Sequence, residues 1–349
     1  MVDGQRGKKY FHMKSINKIL IIGFGSIGKR HANNILHLTN YNIIIFSKRQ
    51  DITDSDFTNF KKYKSRIKIF SSLTQCLKEK PNVAFITNET SKHISFALKV
   101  AQNGIDLFIE KPLSNNLENI KKLNKISKDK KIIVMVGCNF RFFPPIKKIK
   151  ELVDKKIIGK IISAQIENNS FLPDWHPNED YTQSYASRKS LGGGVTLTQI
   201  HELDYLTWMF GNAKKTVSLV GKFSDLEIDA DDHCSAVLKL KNNIIVELHL
   251  DYFSRPFFKR IKIRGIKGTI YWNSDENKVK VFNQNTMKWN SIQLKNNYKL
   301  SSRNVNQMYV DEINYFFECL HLRKKPMNNL DESTNILETA INLKKSIVF

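Results

Sequence analysis

The chain opens with short apolar runs separated by segments of helical period. Lys18–Ile22 (KILII), Asn42–Phe46 (NIIIF), 83–87 (VAFIT), 106–110 (DLFIE) and 132–137 (IIVMVG) are compact and largely aliphatic, and Ile67–Phe70 is a further short strand candidate. Runs of this kind suit strands buried on both faces of a parallel sheet. Helices are expected between them at 29–38, 73–79, 93–103 and 117–128, with Pro81 closing the second and Gly104 the third. Strict alternation of strand and helix argues for a doubly wound parallel sheet, whose ligands sit beyond the carboxyl ends of the strands. Thr87, Lys111 and Asn139 fall at such ends.

After Arg141 the pattern changes. A helix at 146–155 leads to a strand at 161–170, then to a polar, aromatic, turn-rich stretch at 171–190. Three glycines, 192–194, precede a helix expected to run unbroken over 197–210 until Gly211. Strands at 234–240 and 244–250 form a hairpin through Asn242 and Asn243, and strands at 261–263 and 269–272 flank a glycine-containing turn. Helices at 305–322 and 332–346 follow. The expected organisation is a disordered tail at 1–14, a nucleotide-binding α/β domain at 15–140 and an α+β domain at 141–349 with an open, largely antiparallel sheet. The C-terminal helices have the alternative of packing back on the first domain.

A length of 349 residues allows two cores, and a hydrophobic share of 41% is ordinary for a globular chain. No run approaches the roughly 18 apolar residues of a membrane helix, and the first residues lack the apolar core of a signal peptide. Cys76, Cys138, Cys234 and Cys319 are scattered, without metal-ligand spacing. Neither a structural metal nor a disulfide framework is expected, and a reducing cytoplasm fits. The net charge of +23 is spread along the chain and no stacking aromatic motif accompanies it. Specific nucleic-acid binding is therefore not expected, although the field favours anionic substrates.

The stretch KILIIGFGSIGKRH carries the first chemistry. Gly23-Phe24-Gly25-Ser26-Ile27-Gly28 is a G-x-G-x-x-G fingerprint in its proper context, strand before and helix after. Such a loop cradles a pyrophosphate at a helix N-terminus, which implies a Rossmann-type dinucleotide site. The acid that would hold a ribose 2′-hydroxyl is absent at the end of the second strand, where Ser47, Lys48 and Arg49 stand. A hydroxyl and two cations suit a 2′-phosphate, favouring NADP with NAD still open; the competing reading is a solvated turn. Lys111, at a strand's carboxyl end before Pro112, is placed to donate to a substrate oxygen or to act as a base; the competing reading is an ordinary surface lysine. His201, early in a helix, is a candidate proton carrier, with a packing histidine as the alternative.

Gly23 to Gly28, Thr87 to His93, Glu110-Lys111-Pro112-Leu113-Ser114 and Gly192-Gly193-Gly194 leading to His201, in that order, resemble the Gfo/Idh/MocA oxidoreductases from Lys18 to Ser346. The resemblance implies a Rossmann domain followed by an α/β domain whose open sheet builds dimers or tetramers. It also implies NAD(P)-dependent oxidation or reduction of a hydroxyl on a sugar, cyclitol or related compound. Lys111 matches the catalytic lysine and His201 the acid–base histidine; Thr87, Asn88, His93, Glu110 and Lys111 itself fall on the cofactor side. The family's aspartate four residues before the histidine is missing. Leu197 stands there, and Thr198 occupies its place counted from the glycines, leaving Glu202 or Asp204 to orient the imidazole. The 174–188 stretch is similar to a subgroup found beside surface-polysaccharide genes. There Trp175 would stack on a sugar, while Asn139, Arg141, His176, Tyr185, Arg188 and Thr198 would grip hydroxyls or an anionic group. Two other readings follow from the same likeness: a glycosidase or epimerase that retains its cofactor, and a sensor that has lost the chemistry.

Overall fold

A computed structural model of the chain describes residues 16–49, 52–276, 278–294 and 305–345. The expected tail at 1–14 and the end of the last helix at Ser346 lie outside the described residues. Six short strands, β1 (Lys18–Ile22), β2 (Asn42–Phe46), β3 (Ile67–Phe70), β4 (Val83–Ile86), β5 (Asp106–Ile109) and β6 (Val134–Val136), form one sheet in the order β3-β2-β1-β4-β5-β6. Every pairing in it is parallel. The apolar runs explain this placement: Ile19 to Ile22 and Val83 to Ile86 are wholly buried, with helices such as Ser26–Leu38 and His93–Ala101 covering the faces.

A second sheet holds β7 (Ile161–Phe171), β8 (Ala213–Gly221), β9 (His233–Leu240), β10 (Ile245–Asp251), β11 (Phe253–Gly265), β12 (Gly268–Asn273), β13 (Lys278–Asn283) and β14 (Lys288–Gln293). Its order is β14-β13-β12-β11-β7-β10-β9-β8, antiparallel except where β7 meets β10. Along β9 and β10 buried and accessible residues alternate, so one face packs inward and the other stays open. The fold class is thus as expected, a doubly wound parallel sheet followed by an α+β unit with a largely antiparallel sheet. The C-terminal helices touch both sheets. Asn306 exchanges amide hydrogen bonds with Asn34, Arg323 pairs with Asp106 at 2.7 Å, and Ser218 donates to the Leu343 carbonyl.

Two expectations need correction. The helix expected over 197–210 is two pieces, Val195–Thr198 and His201–Phe210. The break falls at Gln199, whose side-chain amide donates to Ser170 Oγ (3.0 Å) and to the Asp251 carbonyl (3.1 Å). That anchoring to β7 and β10 competes with helical continuity. Strands β8, β13 and β14 were not expected, and β14 is almost wholly exposed, so its side chains carry no clear alternation.

Candidate active site

The loop after β1 is shaped by close approaches. Gly23 has φ of +93°, and a Cβ there would lie 2.7 Å from the Asn88 backbone. A Cβ on Gly28 would come within 2.2 Å of the Gly23 carbonyl oxygen and 2.9 Å of Thr87 Oγ1. The Thr87 hydroxyl in turn donates to that carbonyl at 2.7 Å. Gly25, by contrast, faces open space and caps the helix Ser26–Leu38 with no side chain over its first N–H groups. Phe24 is buried against Phe57, Ser26 is exposed and Ile27 is half-buried. Past β2, the buried Ser47 hydroxyl accepts from the Arg49 backbone N–H, and the Arg49 guanidinium donates to the Phe24 carbonyl at 3.3 Å. Lys48 is exposed beside it. An open helix N-terminus, a glycine without neighbours and an arginine draped over the loop fit a bound dinucleotide.

His93, Glu110 and Lys111 join the next loops. His93 is 1% exposed, with Nδ1 2.8 Å from the Pro112 carbonyl and Nε2 2.9 Å from the Asn88 carbonyl. It clamps the loops after β4 and β5 together, and burial holds its pKa below the ordinary value. Glu110 accepts from His31 Nε2 (2.6 Å) and from the Lys111 backbone N–H (3.1 Å). Burial opposes its ionisation, but His31 and the Lys111 charge outweigh burial and bring its pKa below the usual carboxylate range. The Lys111 ammonium donates to the Thr198 carbonyl at 3.0 Å. Burial disfavours its charge, yet interactions with Tyr185, Glu110 and Tyr309 prevail and raise its pKa.

The broken helix supplies the facing wall. Asp231 accepts from the Thr196 N–H (2.9 Å) and hydroxyl (2.7 Å), fixing the first piece. Thr198 Oγ1 is buried beside the Tyr252 phenol. His201 opens the second piece, its ring 4.7 Å from the Phe140 ring and its Nδ1 buried and unpartnered. Burial, then the charges of Lys111 and Lys259, push its pKa well below the ordinary value. Lys259, from β11, donates to Glu202 Oε1 at 2.5 Å and lies 4.2 Å from the centre of the Phe140 ring.

The remaining expected residues divide. Tyr185 is half-buried and within electrostatic reach of Lys111, and Asn139, 3% exposed with Nδ2 unpartnered, precedes Phe140. Arg141 is drawn away: at 2% exposure it binds Asp204 through Nε and Nη2 (2.8 Å) and Glu332 through Nη1 (3.1 Å). That corrects two readings, because a spent guanidinium does not grip a substrate and Asp204 does not orient His201. Glu202, tied to Lys259, does not orient it either. Arg188 fastens its own loop through the Thr182 carbonyl (3.1 Å) and Gln183 Oε1. Trp175, 36% exposed, sits edge-on to Tyr252, and His176 is exposed. Sequence reasoning missed Lys259 and Phe140. Lys259 had a signal: it continues the inward register of Ile261 and Ile263, where a charge is out of place.

Comparison with known proteins fits this geometry. Residues 17–138 match a family described as an oxidoreductase family with an NAD-binding Rossmann fold, and 146–271 match the GFO/IDH/MocA C-terminal domain. A myo-inositol 2-dehydrogenase of Thermotoga maritima is 28% identical over 262 residues, 73% of this chain and 74% of that protein. A levoglucosan dehydrogenase of Pseudarthrobacter phenanthrenivorans is 23% identical over 218 residues, 55% of each. Among solved structures, a levoglucosan dehydrogenase in complex with NADH and levoglucosan superposes with a TM-score of 0.81 at 16% identity, covering 95% of this chain and 97% of that one.

Proposed function

This chain belongs to the Gfo/Idh/MocA oxidoreductases, and we propose that it moves a hydride between a nicotinamide dinucleotide and a hydroxyl or keto carbon of a sugar or sugar derivative. The observation that carries the reading is the meeting of Lys111, from the loop after β5, with the 198–201 turn, beside an open glycine loop. When bound, the dinucleotide supplies or accepts the hydride. The protein's part is to handle the proton and the charge. The Lys111 ammonium, its pKa raised, can donate to the substrate oxygen and stabilise negative charge developing there. His201, kept neutral, can take the hydroxyl proton. Environments that push two neighbouring groups apart in this way divide the work between them. The relatives named for inositol and levoglucosan support a polyhydroxylated substrate.

For the cofactor, Ser47, Lys48 and Arg49 favour NADP over NAD, since Arg49 reaches the glycine loop and no carboxylate ends β2. Titration of the protein with NADPH and NADH tests this. NADPH should bind more tightly, with the preference lost in Arg49→Ala; equal binding of the two would overturn the NADP reading and leave NAD. We place the enzyme in the cytoplasm, assembled as a homo-oligomer through the open face of β8–β10, where Val217 and Val237 are exposed. The regulator reading draws on Thr198, which offers no carboxylate to the site. Dinucleotide binding with no hydride transfer to or from any polyol or keto sugar would favour it.

A further inference from the structure

Lys259 is a buried cation that the proposed proton transfer does not use. It stands on the inward face of β11, 5% exposed, and its ammonium is 2.5 Å from Glu202 Oε1. Glu202 is the residue after His201 and is itself wholly buried. The ammonium and the imidazole pack on the same ring, Phe140, at 4.2 and 4.7 Å. The charged groups around His201 are few. Lys111 comes from the loop after β5 and Lys259 from β11. On its own helix Glu202 is tied to Lys259 and Asp204 to Arg141. The turn Asn139–Phe142 presents the apolar ring of Phe140. No carboxylate hydrogen-bonds to His201 among the described residues. The charges that bear on the imidazole are those of Lys111 and Lys259, both of which disfavour its protonation, and Glu202 holds the second in place.

We propose that Lys259, anchored by Glu202, is a positioning residue that keeps His201 unprotonated as the site's proton acceptor. The proposal rests on the reading of His201 as a proton carrier. An ammonium on the same ring disfavours a second positive charge on the imidazole, and the buried position of Lys259 leaves that repulsion little screened. The base is then free at neutral pH.

The experiment is an NMR pH titration of the histidine ring protons in the full chain without ligand, with His201 assigned through His201→Gln. In the unmodified protein His201 should titrate below the ordinary value of about 6.5. Lys259→Met should move it upward by about one pH unit, a tenfold change in proton affinity, while Lys259→Arg should leave it low. Removing one partner of a buried pair endangers the fold. The double variant Lys259→Met/Glu202→Gln, which strands no charge, therefore decides the case if the single variant fails, and it too should show an upward shift. An unshifted His201 in the folded double variant would overturn the proposal, as would a wild-type His201 titrating at or above the ordinary value. Because no turnover is measured, loss of the enzymatic reading would appear elsewhere, as absence of hydride transfer.

Discussion

The glycine loop after β1 lies at the carboxyl edge of the parallel sheet and the broken helix at 195–210 reaches that edge through Lys111, yet they are specified differently. The loop is fixed by backbone approaches: Gly28 lies against the Gly23 carbonyl, and Gly23 against Asn88. The broken helix is fixed by side chains from afar: Gln199 on Ser170, Glu202 on Lys259, Asp204 on Arg141. A loop held by backbone contacts fails when a side chain is added. A wall held by buried ion pairs fails when one is removed.

The largest expected effect lies on the second side. Arg141→Met strands Asp204, which is wholly buried, and should cost about 3–5 kcal/mol of stability in denaturant unfolding. Replacing both residues by apolar ones of similar volume should recover most of that loss, and failure of the double variant to recover would show that packing, not charge pairing, holds this wall. On the first side, Gly28→Ala forces a Cβ against the Gly23 carbonyl and should cost about 1–3 kcal/mol together with dinucleotide binding. Gly25→Ala sharpens the contrast. Its Cβ would enter open space, so thermal stability should stay nearly unchanged while dinucleotide affinity falls, as calorimetric titration would read.

A smaller effect is a pH dependence shared between the regions. His93 and His201 both have pKa values lowered in the fold, mainly by burial. Below the ordinary value of about 6.5 the unfolded chain takes up protons that the folded chain refuses. Stability should therefore fall as pH drops through that value towards the folded pKa values, by about 1.4 kcal/mol per pH unit for each histidine in that interval. Urea unfolding at about pH 7.5 and pH 5.5 measures the slope, and His93→Gln should remove part of it. A slope unchanged by that substitution would assign the effect to other groups.

The same contrast explains what could be read in advance. Strands β1 and β2 fall at the expected residues because a short apolar run specifies a doubly buried strand locally, while β3 falls there as a half-exposed edge strand. The glycine fingerprint is legible for the same reason, since each close approach demands a residue type at a fixed spacing. Arg141 was expected at the substrate on a family likeness, which does not register its partner Asp204, remote in sequence. The break at Gln199 depends on acceptors in β7 and β10, which helical periodicity does not register. Lys259 lay between these cases: its place in the Lys259, Ile261, Ile263 register was visible, while its partner Glu202 was not.

On the proposed reading, Lys111 serves the chemistry and not the binding of the dinucleotide. Its most direct test compares wild-type protein and Lys111→Ala, measuring nicotinamide absorbance with a panel of polyols and keto sugars alongside dinucleotide titration. Hydride transfer is expected in the wild type, with a loss of about 10²–10⁴-fold in kcat/KM in the variant and dinucleotide affinity within a few-fold of wild type. Turnover surviving in Lys111→Ala would contradict it.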